Sequence, residues 1–185
     1  MALLRVLAVA LLAVACGTPS SMVRTDLQAY VDRIQTWAPV EAETQRTIER
    51  IMRTQFVDEA EVRRQIADSR PRVLAHLQAL RSYTPHSKEV AGVHARYVEA
   101  WERLLSGYDA IEQGFSSGDY TKLARGREAM QAWREGIVAV ARQLRELMQH
   151  FDVDASGPVE SRAREGVPQR SMQRTKSSAC PAAIA

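Results

Sequence analysis

The chain is poor in the residues that cofactors and crosslinks need. Its 185 residues hold two cysteines and four histidines. Cys16 and Cys180 are too few for a cysteine-based zinc site, and no Cys-x-x-Cys-His haem-attachment motif occurs. None of His76, His86, His94 and His150 has a glutamate three residues before it, so the paired Glu-x-x-His pattern of di-iron bundles is missing. No zincin helix and no phosphate-binding glycine-rich loop is present, and Ser116-Ser-Gly-Asp119 reads as a plain turn. A dominant charge is missing too. Twenty-five basic side chains face 22 acidic ones, and the net charge is +3. The two signs are interleaved along the chain with no basic stripe, so no nucleic-acid partner is expected despite a pI of 9.1. Nothing in this inventory points to an enzyme.

Long apolar runs are also scarce, with one at the very start. Met1–Cys16 carries a single charge, Arg5, followed by an apolar run from Val6 to Ala15. About twenty residues are needed to span a bilayer as a helix. The shorter run suits the apolar region of a secretory signal. It ends in Leu12-Ala-Val-Ala-Cys16, which resembles the lipobox of bacterial lipoproteins. The resemblance implies that residues 1–15 are a signal peptide removed on export, and that Cys16 is acylated and becomes the new N-terminus. Residues 16–21 then form a short tether, and the membrane is a partner through the anchor. Each buried methylene adds about 0.8 kcal/mol, so two or more acyl chains hold stably. The implied location is the periplasmic side of the bacterial cell envelope. Gly17, where enteric inner-membrane lipoproteins carry aspartate, resembles an outer-membrane address.

What the chain has in quantity is helical periodicity. Apolar residues recur at spacings of three and four in four successive segments. The seams run through Val23, Leu27, Tyr30, Ile34 and Trp37; Val62, Ile66, Val73 and Leu77; Tyr97, Trp101, Leu104 and Tyr108; and Met130, Trp133, Ile137, Val140 and Leu144. Asp58 with Glu61 forms a capping-box-like start for the second helix. Thr84-Pro85 is expected to start the third, and Asp119 the fourth. The short connections make successive helices antiparallel neighbours. The expected fold is all-α, an up-down-up-down four-helix bundle over residues 22–151, with helices near 22–56, 59–82, 86–115 and 120–151. Pro39 and Pro71 fall inside the first two, and seams in phase on both sides favour kinks over breaks. Residues 152–185 lack periodicity and read as a disordered tail.

Counting heights from turns centred near 57, 84 and 117 places Trp101 beside Trp133, with Ser69 and Thr44 in the same layer. Gly126 falls near Tyr108, offering room to a ring. The same count brings His76 and His94 face to face, with Glu41 close by. That layer admits three readings: histidines at the edge of a core built by Leu77 and Val93, a buried hydrogen-bonded layer that fixes helix register, or a site for a divalent transition metal or haem. The expected function is that of a non-catalytic, lipid-anchored interaction or scaffold module with an envelope protein as partner. The alternative is a metal- or haem-binding bundle using Glu41, His76 and His94.

Overall fold

Four helices carry the four seams in the computed structural model, which describes residues 19–54 and 56–154. The expected signal peptide, the Cys16 acylation site, the first residues of the tether, Cys180 and the tail from residue 155 lie outside the described residues. The helices are α1 (Pro19–Arg53), α2 (Glu59–Arg81), α3 (Lys88–Ser117) and α4 (Tyr120–His150). The fold is an all-α, antiparallel four-helix bundle. Helix α1 starts three residues earlier than expected, inside the anticipated tether. At the other end, Val153 packs on the core and donates its N–H to the Met148 carbonyl, so the first residues of the expected tail are ordered with the bundle.

Capping explains the boundaries. Asp58 accepts from the Glu61 amide, and Asp119 accepts from the amides of Thr121 and Lys122. Gly118 ends α3 at φ 63°, a left-handed conformation that suits glycine. Thr84-Pro85 does not start α3. Ser87 does, accepting from the Val90 amide. Asp26, buried on α1, strengthens that start from outside: its carboxylate accepts from the amides of His86 and Ser87 and from the Ser87 hydroxyl, at 2.6–3.1 Å. Pro39 and Pro71 lie on exposed faces of unbroken helices.

Cross-helix partners fix the register. Helices α2 and α3 meet through Ser69–Tyr108, Arg70–Asp109 and Arg81–Glu102. Helices α3 and α4 meet through the expected Trp101–Trp133 pair, with ring centroids 5.5 Å apart. The α2–α3 register differs from the count. Ser69 faces Tyr108, not Trp101, an offset of two helical turns. A single turn centre at residue 84 presumes a symmetric hairpin. The real connection is pulled towards α1 by Asp26, and Tyr83 folds back onto the His94 ring.

The four helices are unevenly spaced. Helix α3 lies closest to α4, α1 meets α4 sparsely, and no Cα atom of α2 comes within 8 Å of one on α4. Small residues set this pattern. A Cβ on Gly107 would stand 3.0 Å from that of Ala129, and one on Gly136 would stand 3.0 Å from that of Ala100. Gly126 lies against the Gly107 carbonyl and Ile111, so it makes room for a neighbouring backbone and not for the Tyr108 ring.

Candidate binding cleft

Because α4 is drawn onto α3, it stands off from α1. Its seam pays for the closeness: Ile137, Leu147 and Met148 remain half-exposed, whereas the seam of α2 is buried throughout. A cleft therefore runs along the α1–α4 edge. Its most apolar part is a cavity of about 250 Å³ between Ile34 on α1 and Ile137, Val140, Leu144 and Met148 on α4. Glu41 and Tyr97 supply polar atoms there, and Arg145 stands at its margin. Ile137 also lines the next cavity, of about 370 Å³, together with Gln45, Trp133 and Arg142. Gln131 and Glu135 continue the opening into a third, of about 410 Å³, beside Met52 and Arg127. From Arg127 to Met148 the cleft follows α4 for roughly 32 Å.

Behind the cleft lies a layer of rings. Trp37 on α1 packs edge-on against His76 and stacks on His94, at centroid distances of 6.0 and 6.4 Å. His76 sits 4.2 Å from Trp101. Leu77 and Val93 are buried, as a core of aliphatic residues requires, and both histidines are buried beside them. The edge reading of the histidines is thereby replaced by the buried one.

Each member of the expected trio has its own environment. His94 Nε2 lies 3.0 Å from the Leu80 carbonyl, which can only accept, so that nitrogen carries the proton. Nδ1 then accepts from the Tyr30 hydroxyl at 3.2 Å. Burial lowers the His94 pKa below its ordinary value, against the opposing pull of the Leu80 carbonyl. His76 has no hydrogen-bond partner at Nε2, and burial pushes its pKa down to about 4. Glu41 accepts from the Tyr97 hydroxyl at 2.7 Å. Burial raises the Glu41 pKa, with the Tyr97 bond acting against it. His76 faces Trp101, not His94, so the trio shares an aromatic layer without converging on a point. Among the described residues no group of three or more His, Cys, Asp or Glu side chains is placed to hold a metal ion.

Gly114-Phe-Ser-Ser-Gly118 spells Gly-x-Ser-x-Gly, the nucleophile pattern of a strand-to-helix elbow. Here it closes a helix, and the Ser116 hydroxyl donates to the Glu112 carbonyl at 2.8 Å.

Charge is distributed unevenly around the bundle. All five arginines of α2 (Arg63, Arg64, Arg70, Arg72 and Arg81) pair with carboxylates. Among the described residues, none of the five on α4 (Arg125, Arg127, Arg134, Arg142 and Arg145) does so. The cleft was not visible in the apolar periodicity, which marks α4 as an ordinary seam. The signal that locates it is the set of glycines and alanines on the facing sides of α3 and α4. Compared with known proteins, the chain matches no family model, no curated sequence and no solved structure.

Proposed function

We propose that this protein is a non-catalytic binding module of the bacterial cell envelope, anchored through Cys16, whose recognition surface is the α1–α4 cleft. The cleft carries the reading: it leaves Ile137, Leu147 and Met148 half-exposed and Val138 exposed along one edge of the bundle. The groups with shifted pKa values support it as well. Asp26 caps a helix, Glu41 binds Tyr97, and His94 has both ring nitrogens engaged. These are structural duties, not poised acids and bases. None of the described helices is long and apolar enough to cross a membrane, so attachment rests on the acyl anchor. With α1 starting at Pro19, acylation at Cys16 holds the α1 N-terminus near the lipid.

Site-specific photo-crosslinking in the intact envelope tests this. A photoreactive residue at Val138, which is exposed in the cleft, should give adducts; one at Tyr120, exposed at the start of α4, should not. Cys16→Ser should release the protein from membranes. Equal labelling at both positions, or a soluble wild-type protein with an unmodified Cys16, would overturn the reading. A metal or haem carrier is the second reading, and the partnerless buried Nε2 of His76 is the observation in its favour. Elemental analysis and a visible spectrum of the purified full chain decide it.

A further inference from the structure

We propose that the apolar half of the cleft seats a single-chain fatty acid, with its hydrocarbon on Ile34, Ile137, Val140, Leu144 and Met148 and its carboxylate at Arg142 and Arg145. This inference rests on the cleft being the recognition surface and names what it takes up.

Size selects a small ligand for this slot. The cavity of about 250 Å³ and its neighbour of about 370 Å³ share Ile137 in their walls, and typical ligand sites run from about 300 to 1,000 Å³. Chemistry agrees as well. The walls are aliphatic, and Met148 adds an adaptable thioether.

Charge selects the head group. Arg142 and Arg145 line the two cavities and carry no carboxylate partner among the described residues. A guanidinium offers paired N–H donors to a carboxylate. Glu41, the one acid in the apolar cavity, has its pKa raised by burial and accepts from the Tyr97 hydroxyl.

The test uses the delipidated full chain with palmitate as the probe, read by titration calorimetry and native mass spectrometry. One palmitate per chain should bind saturably and change the emission of Trp133, which lines the adjoining cavity. Hexadecyltrimethylammonium, with the same hydrocarbon and a cationic head, should bind about tenfold more weakly or worse, and Arg145→Gln should weaken palmitate to a similar degree. Ala141→Trp, at an exposed position beside the slot, should block uptake while leaving the helical circular dichroism unchanged. Arg64→Gln on α2 should bind palmitate as the wild type does. Absence of saturable palmitate binding, or equal affinity for the cationic amphiphile, would overturn the proposal. So would wild-type affinity in both Arg145→Gln and Ala141→Trp. Crosslinks at Val138 without palmitate uptake would remove the fatty acid and leave the recognition surface standing. Loss of both would remove both.

Discussion

Gly126 of α4 lies so close to Gly107 of α3 that a Cβ on Gly126 would stand 2.9 Å from the Gly107 carbonyl oxygen. Real Cβ atoms do not approach backbone this closely, so the two helices can pack as they do only with glycine at that point.

Gly126→Ala should therefore destabilise the bundle by about 1–3 kcal/mol, the usual cost of overpacking. Gly92, on the exposed face of α3, has nothing within 4 Å of the position a Cβ would take. Gly92→Ala should stabilise by roughly 0.5–1 kcal/mol through helix propensity alone. Urea denaturation of both variants checks the pair. Equal effects would mean that the α3–α4 spacing is not set by contact at Gly126.

Asp26→Ala should cost about 1–3 kcal/mol, because it strands the part-buried amides of His86 and Ser87 and removes an anion from the start of α3. Asp26→Asn keeps one acceptor and should cost less. Burial raises the Asp26 pKa, but the bonds from the Ser87 side chain and from the amides of Ser87 and His86 outweigh it, so the net shift is downward. A carboxylate with a depressed folded-state pKa contributes stability above its unfolded value of 3.8 and loses it as pH falls below that. Asp26→Asn should accordingly show a shallower acid limb than the wild type below pH 4, measured by thermal melts.

His76 works in another pH window. Its folded pKa of about 4 lies below the unfolded 6.5, so the unfolded chain binds the extra proton between those values. Stability should be full above pH 6.5 and decline as pH falls towards 4, by up to about 3 kcal/mol from this group. His76→Phe keeps a ring against Trp101 and removes the titration. Its stability between pH 6.5 and 4 should be flatter than that of the wild type, and an unchanged slope would show that His76 does not titrate in this window.

Glu41 has the opposite sign. A carboxyl with a raised folded-state pKa contributes less as pH rises from 4.5 through the folded value. Glu41→Gln keeps an acceptor for the Tyr97 hydroxyl and removes the buried charge. It should equal or exceed the wild type in stability at pH 7.5, and the difference should vanish near pH 4. A strongly destabilised Glu41→Gln at pH 7.5 would mean that the carboxylate is ionised in the folded state and held by its surroundings.

Tyr30→Phe should cost about 1–2 kcal/mol, since it leaves His94 Nδ1 buried without its donor. The proton chemical shifts of the His94 ring should move while those of His150, which is exposed near the end of α4, stay in place.

The fold was legible because helical burial writes itself into the spacing of apolar residues. Val62, Ile66, Val73, Leu77 and Leu80 lie on one face of α2, and all are buried. The Trp101–Trp133 contact followed from the short α3–α4 turn, which does behave as a symmetric hairpin. The α2–α3 register did not follow. It depends on Asp26, a residue from a third helix, reaching the connection, and counting along two helices carries no such information. The same slip brought His76 and His94 together on paper. The cleft was hidden for a related reason. Periodicity reports which face of α4 is apolar, while the fraction of that face left open depends on how near each neighbour comes. That distance is governed by Gly107, Gly126 and Gly136, whose contribution is the absence of a side chain.

The uneven spacing of the four rods also orders how the domain loosens. Helices α3 and α4 are consecutive in the chain and share the longest seam, so they form a locally connected unit. Helix α1 is held chiefly by α2, by its Asp26 anchor and by the Tyr30–His94 contact. In hydrogen–deuterium exchange, the amides of α3 at this seam should belong to the slowest-opening unit, and α1 should be the rod whose protons reach solvent first.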